Sequence, residues 1–102
     1  MKLTITPRAQ KWFEGEIDVA SGMGIRFYGK VYGKTDVHEG FSVGMSVDTP
    51  ETPLIEVNEA GRLYFVEETD DWFFKGYDLL VDYNAKMDEP SYHFEKNDDF
   101  EG

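Results

Sequence analysis

The chain has 102 residues, 40% of them hydrophobic and 16% aromatic, and a formal net charge of −11 from 21 acidic and 10 basic residues. This composition predicts a single globular domain, residues 1–97, followed by an acidic flexible tail, residues 98–102. The negative charge argues against nucleic acid and anionic membranes as partners, and the absence of cysteine excludes disulfides, thiolate metal sites and a thiol nucleophile.

Two features of the sequence bear on location. No apolar run reaches the roughly 20 residues that a helix needs to cross a bilayer. Residues 1–6 already show the pattern of a strand and a helix start, and they lack the apolar segment typical of a secretory signal peptide. Together with the lack of cysteine, these features predict a cytoplasmic protein.

The N-terminal part predicts a short strand followed by a helix. Leu3 and Ile5 alternate with a polar residue, as in a strand with one buried face. Thr6 and Pro7 are typical of a helix start, because a hydroxyl can cap the first turn and proline lacks only an N–H that would be unpaired there. The apolar residues that follow recur at helical spacing and predict a core-facing stripe, formed by Ala9, Trp12, Phe13 and Ile17.

The central stretch, residues 24–48, predicts two strands joined by a glycine-rich loop. Ile25 and Phe27 alternate with polar or small residues in the first strand. The second strand has the same period of two, and its apolar face is formed by Phe41, Val43, Met45 and Val47. A polar loop, residues 33–40, connects the strands, and a loop carried by a rigid sheet is where we expect a functional site.

The second half of the chain predicts a hairpin, a short helix and two further strands. Residues 54–57 and 62–67 are rich in β-branched and aromatic residues and flank a turn. Residues 69–76 have the pattern of a short helix, with Thr69 as its cap and acidic residues suited to the positive end of the helix dipole. The last strands are predicted at residues 77–83 and 92–95. About eight short strands and two helices predict a mainly-β (α+β) domain.

Both ends of the central stretch also resemble a known family. Gly24-Ile25-Arg26-Phe27 and Gly40-Phe41-Ser42-Val43 are similar to the segments that flank a cysteine-bearing, glycine-rich loop in the HesB-like family, the A-type iron–sulfur cluster carriers. A gapless match places Lys34 at the family's cysteine position, whereas a register with an insertion places His38 near it. The resemblance implies a compact β-sandwich or pseudo-barrel with an N-terminal helix and one short second helix.

The chain lacks the cysteines through which these carriers hold their cluster. The resemblance therefore implies a HesB-like protein without cluster ligands and without a cofactor. It would be a non-catalytic adaptor module linked to iron–sulfur cluster assembly or iron homeostasis, and it would bind a protein partner. Self-association through exposed aromatic residues such as Tyr32 or Trp72 is a further expectation.

Two alternatives remain open. The first is a cysteine-free metal-binding protein, because histidine and carboxylate side chains suit iron(II) or zinc. The candidate ligands are Asp36, His38, Glu39, His93 and Glu95. The second is a small enzyme of unknown substrate that acts in a cleft under the glycine-rich loop. The sequence contains no nucleophile-elbow, phosphate-loop or dinucleotide-binding motif, so we expect no catalytic activity.

Overall fold

A computed structural model describes residues 1–35, 37 and 40–97 of the chain. Within these residues the chain forms seven strands, two α-helices and one 3₁₀ turn, which are β1 (Leu3–Ile5), α1 (Pro7–Glu16), β2 (Gly24–Lys30), β3 (Ser42–Asp48), β4 (Pro53–Glu59), β5 (Arg62–Glu67), the 3₁₀ turn (Glu68–Asp70), α2 (Asp71–Phe74), β6 (Tyr77–Asn84) and β7 (Glu89–Lys96). The prediction of a mainly-β (α+β) domain with an N-terminal helix and one short second helix is confirmed. The predicted tail, residues 98–102, lies outside the described residues.

The seven strands form two sheets. One contains three strands in the order β1-β6-β7, and the other contains four strands in the order β3-β2-β5-β4. β1 runs parallel to β6 and β2 runs parallel to β5, while the other neighbours are antiparallel. Parallel neighbours cannot be joined by a tight hairpin. The chain accordingly leaves β1 through α1, completes the four-stranded sheet, and only then returns to β6.

Helix α1 begins where the sequence predicts. The hydroxyl of Thr6 accepts a hydrogen bond from the N–H of Ala9 at 3.2 Å, and Pro7 occupies the first turn. At the other end, the guanidinium of Arg62 in β5 donates to the backbone oxygen of Ile17 at 2.7 Å. This bond satisfies a carbonyl at a helix end, where intrahelical donors are missing. Neither α1 nor α2 has the length and apolar character that crossing a bilayer requires.

The core lies between the two sheets and both helices, and it is largely aromatic. Phe13 of α1 and Tyr64 of β5 are fully buried, with ring centroids 5.6 Å apart. Phe27 of β2 contacts Tyr92 of β7 with ring centroids 5.9 Å apart, and this contact joins the two sheets. Large rings remove much apolar area from water, so their burial contributes strongly to the free energy of folding.

Two local predictions are wrong. Thr69 does not cap a helix, because Glu68–Asp70 form a 3₁₀ turn and α2 begins only at Asp71. The last strand is longer than predicted, since β7 begins at Glu89 and pairs with β6 immediately after a tight turn. Proline inside a strand pattern normally argues against a strand, but β7 lies at the edge of its sheet, where Pro90 is tolerated.

Candidate functional site

Exposed apolar side chains concentrate on the connection between β2 and β3 and on the adjoining helix α2. Phe41, at the end of the connection, packs edge-on against Trp72 of α2 with ring centroids 5.8 Å apart. Four side chains of this region are well exposed, with exposed fractions of 74% for Val31, 64% for Tyr32, 55% for Trp72 and 39% for Val37. We term these four residues and Phe41 the β2–β3 patch.

The connection that carries the patch is closed at its base. The N–H of Gly40 donates to the backbone oxygen of Gly33 at 2.8 Å, and the hydroxyl of Ser42 donates to the backbone oxygen of Tyr32 at 2.7 Å. Gly33 and Gly40 have positive φ angles, of 88° and 91°, which glycine adopts without a steric cost. The two ends of the connection therefore hold one another in place.

The exposed indole of Trp72 rests on buried rings. Its centroid lies 5.5 Å from that of Phe73, which is 1% exposed. Phe73 packs edge-on against Phe74 at 4.9 Å and against Phe94 of β7 at 5.7 Å. Contacts with the core thus hold Trp72 in position, although more than half of its surface faces solvent.

A partly buried ion pair fixes the start of α2. Asp70 immediately precedes α2 and is 6% exposed, and one of its carboxylate oxygens lies 2.7 Å from the guanidinium of Arg26 in β2. The other oxygen accepts from the N–H of Gly29 at 3.4 Å. The hydrogen bond to Asp70 raises the pKa of Arg26 above its ordinary value, so the arginine is charged throughout the physiological range. This pair ties α2 to the strand that leads into the patch.

Two lysines flank the patch. The ammonium of Lys30 lies 4.9 Å from the centroid of the Tyr32 ring, which is a cation–π distance. Lys34 lies two residues after Tyr32 and is exposed. Within the part of the chain that the structure describes, neither lysine forms an ion pair. The same connection also contains Asp36 and Glu39, so its sequence places charges of both signs beside the apolar side chains.

A shallow cavity of about 360 Å³ lies between the same connection and the β6–β7 hairpin. Its lining includes Lys34, Ser42 and Tyr92, together with Glu89. Burial, with a smaller contribution from the carboxylate of Glu89, raises the pKa of the Tyr92 phenol well above its ordinary value, so the phenol is protonated at neutral pH. This lining suits a polar group that accepts hydrogen bonds. Catalysis by a small enzyme at this cleft remains a prediction.

The candidate metal ligands are only partly described by the structure. His93 and Glu95 are exposed and lie two residues apart on β7, so they share one face of the strand. In the described ranges, no group of three or more histidine, aspartate or glutamate side chains is placed to hold a metal ion. The remaining candidates, Asp36, His38 and Glu39, lie outside those ranges. The metal site therefore stays a prediction.

Reasoning from the sequence does not find the Arg26–Asp70 ion pair. The two residues are 44 positions apart, and Asp70 also fits the acidic pattern of a helix start. Arg26 lies between apolar Ile25 and Phe27, and alternation along a strand places such a residue on the polar face. A charge on that face needs no partner, so the sequence does not indicate Asp70.

Comparison with known proteins identifies relatives but no family model, since no model matches the sequence. The protein named "Pyruvate dehydrogenase inhibitor" from Bacillus subtilis (strain 168) is 36% identical over 95 residues, which cover 93% of this chain and 100% of that protein. Uncharacterized proteins from Staphylococcus saprophyticus and Staphylococcus haemolyticus are each 30% identical over 95 residues. These matches cover 90% of this chain and 97% and 96% of the two proteins.

These comparisons correct the resemblance to the HesB-like family. That prediction is wrong, and so is the predicted role as an adaptor in iron–sulfur cluster assembly or iron homeostasis, because no such family matches and a full-length relative is named as an inhibitor of pyruvate dehydrogenase. The residues that carried the resemblance have local roles. A Cβ at Gly24 would lie 2.8 Å from the backbone oxygen of Leu63, and Arg26 pairs with Asp70. Lys34 therefore marks no lost cluster ligand.

Proposed function

Because the chain belongs to the same family as the Bacillus subtilis protein named pyruvate dehydrogenase inhibitor, we propose that it is a regulatory protein that binds and inhibits a pyruvate dehydrogenase. The observation that carries this proposal is the identity of 36% along the complete length of that relative. A shared fold does not by itself imply a shared function, so the proposal has to be tested on the enzyme.

In this proposal the protein acts by binding and not by catalysis. Such an inhibitor needs a surface complementary to its target and no catalytic groups of its own. The exposed aromatic side chains of the β2–β3 patch support a binding role, since aromatic residues are enriched where proteins contact one another. A cytoplasmic location belongs to the proposal and rests on the cysteine-free sequence.

The test is a titration of the purified chain into pyruvate dehydrogenase from the same organism. We expect the rate of pyruvate consumption to fall as the chain is added and to level off when its binding sites are filled. Sedimentation of the mixture should show the chain moving with the enzyme. An unrelated acidic protein of similar size and net charge controls for non-specific electrostatic effects. An unchanged rate at large molar excess, with no co-sedimentation, would contradict the proposal.

A further inference from the structure

We propose that a cavity beside the C-terminal end of α1 binds a free amino acid with a large apolar side chain. This site goes beyond the proposed inhibition of pyruvate dehydrogenase and does not depend on it. The cavity has a volume of about 520 Å³ and lies between the end of α1, the loop that leads to β2 and the β4–β5 turn. Ligand pockets in proteins span about 300–1,000 Å³, so the cavity has room for a small molecule.

The first argument is that two opposite charges line this cavity without pairing. The charged residues of its lining are Glu14 on α1 and Arg62 at the start of β5. Neither forms an ion pair with a residue that the structure describes. Both act on the buried phenol of Tyr64, because burial raises its pKa to about 12, the charge of Arg62 opposes this rise and the charge of Glu14 adds to it. Two unlike charges thus lie in one neighbourhood without neutralising each other.

The second argument is the orientation of Arg62. Its Nη1 atom donates to the backbone oxygens of Ile17 at 2.7 Å and Phe13 at 3.4 Å, which anchors the guanidinium against the end of α1. Its Nε and Nη2 atoms have no hydrogen-bond partner within the described ranges. These two nitrogens form one edge of the planar group, and a carboxylate can accept from both in parallel. Because Arg62 lines the cavity, this edge can bind the carboxylate of a ligand.

The third argument is the rest of the lining. Glu14 is exposed, and its carboxylate can accept hydrogen bonds from an ammonium group. Apolar surface is contributed by Val19, Met23, Pro50 and Leu63. A ligand that matches all three parts carries a carboxylate for Arg62, an ammonium group for Glu14 and an apolar body. These are the parts of an α-amino acid such as leucine.

Further acidic residues bear on which ligand binds. Asp18, Glu51 and Glu59 are sequence neighbours of lining residues, although they do not line the cavity themselves. Their negative charge disfavours a simple carboxylic acid, which is an anion at neutral pH. A zwitterion has no net charge and escapes this repulsion. Binding of its carboxylate to Arg62 favours it over a simple amine, so the surrounding charges select the amino acid from both sides.

The experiment is isothermal titration calorimetry of the free chain with ligands that share one carbon skeleton. Leucine is the zwitterion, isocaproate lacks its ammonium group, and isopentylamine lacks its carboxylate. We expect leucine to bind, and the other two to bind at least about tenfold more weakly, because each loses hydrogen bonds to a charged side chain. Leucine at millimolar concentration should also raise the unfolding temperature, since a ligand that binds the folded state stabilises it. Methionine and phenylalanine extend the series to other large apolar side chains.

Two variants on α1 form a matched pair. Glu14→Gln keeps the length of an exposed side chain that has no ion-pair partner among the described residues, so the chain should stay folded. It should weaken leucine binding about tenfold and leave isocaproate binding no weaker than in the wild type. Glu16→Gln removes an exposed acid from the same helix that does not line the cavity, and it should change leucine binding by less than about twofold.

Arg62→Lys tests the other charge. Lysine keeps the positive charge but lacks the planar edge, so leucine binding should weaken although the net charge is unchanged. The variant also loses contacts at the end of α1, and thermal unfolding without ligand shows whether it is folded. If it does not fold, the comparison of Glu14→Gln with Glu16→Gln still decides.

Three results would overturn the inference. The first is the absence of binding by leucine, methionine and phenylalanine alike. The second is binding of isocaproate or isopentylamine as tight as that of leucine. The third is an equal effect of Glu14→Gln and Glu16→Gln on leucine binding. None of these measurements contains the enzyme, so a failure here leaves the proposed function standing, and a chain that binds leucine without inhibiting the enzyme would remove the proposed function alone.

Discussion

Each of the two helices is tied to a strand by an arginine–aspartate pair, but the two pairs lie in different environments. Arg26 and Asp70 hold the start of α2 to β2, with side-chain exposures of 28% and 9%. Arg8 and Asp82 hold the start of α1 to β6, with exposures of 63% and 21%. The N–O distances, 2.7 Å and 2.8 Å, are nearly equal. Distance alone therefore does not rank the two pairs.

Burial does rank them. An exposed pair is screened by water and salt and contributes little to stability. A more deeply buried pair need not be favourable as a whole, but removal of one partner leaves the other charge less well compensated. For Arg26, what would remain is partial contact with water and the Asp48 carboxylate, 3.9 Å from its guanidinium. Helix α2, which carries Trp72, therefore depends on its pair more strongly than α1 does. The β2–β3 patch thus includes a side chain from the more sensitive of the two helices.

The largest effect is expected for Asp70→Asn. The amide keeps the shape of the side chain but removes the charge that lies closest to Arg26, at 2.7 Å, while Asp48 remains at 3.9 Å. The free energy of unfolding should therefore fall by about 2–3 kcal/mol, the range for a hydrogen bond to a charged group. Urea unfolding followed by tryptophan fluorescence measures this loss. The matched variant is Asp82→Asn at the exposed pair, for which we expect a clearly smaller loss. Equal losses at both positions would show that burial does not separate the pairs.

The contrast between the pairs also shows how far sequence reasoning reaches. The start of α1 is predicted correctly because Thr6 and Pro7 act through contacts with their own neighbours in sequence. The start of α2 is not predicted correctly, because Asp70 forms an ion pair with Arg26, a residue 44 positions away. Local patterns predict local contacts, and a tertiary ion pair overrides them without leaving a signal in spacing.

The β2–β3 patch is predictable only in part for the same reason. The sequence indicates a glycine-rich connection between two strands and names Tyr32 and Trp72 as exposed aromatic residues, and both are exposed. It does not indicate that Phe41 packs against Trp72, since that contact depends on where α2 packs. The HesB-like resemblance is wrong because its short motifs, glycine followed by alternating residues, also arise in unrelated strands where a neighbour approaches the backbone closely. At Gly24 that neighbour is Leu63.

The next largest effect is expected for a glycine substitution next to α2, which can be compared with one in α1. A Cβ at Gly29 would lie 2.6 Å from the ring of Phe73, so Gly29→Ala should cost about 2 kcal/mol of unfolding free energy through overpacking. Because Phe73 supports Trp72, this variant should also weaken inhibition of the enzyme. Urea unfolding and the inhibition titration are the two measurements.

Gly15, near the end of α1, is the matched control for Gly29. Nothing lies within 4 Å of a Cβ at this position, and alanine has a higher helix propensity than glycine. Gly15→Ala should therefore stabilise the protein by about 0.5 kcal/mol and leave inhibition unchanged. A destabilised Gly15→Ala, or an unaffected Gly29→Ala, would mean that the packing around α2 is not tighter than the packing around α1.

The smallest effect concerns pH at the exposed pair. Hydrogen bonds from Arg8, from the Tyr83 N–H and from Thr6 hold the pKa of the Asp82 carboxyl well below its usual range. A carboxyl whose pKa is lower in the folded state than in the unfolded state stabilises the fold above its unfolded pKa, about 3.9. This contribution is present in full at pH 7 and is lost progressively as the pH falls below about 4 towards the folded pKa.

Arg8→Gln isolates this contribution, because it removes the charge that acts on Asp82 and keeps most of the side-chain length. The difference in urea midpoint between the wild type and Arg8→Gln should be small and constant from pH 7 to pH 5. It should narrow below pH 4, and 1 M salt should narrow it at every pH, because exposed charges are screened within about 3 Å at that ionic strength. A difference that persists unchanged at pH 2 and in 1 M salt would mean that Arg8 stabilises α1 through packing of its aliphatic stem. The Arg8–Asp82 pair would then stabilise its helix by packing, whereas the Arg26–Asp70 pair does so by charge.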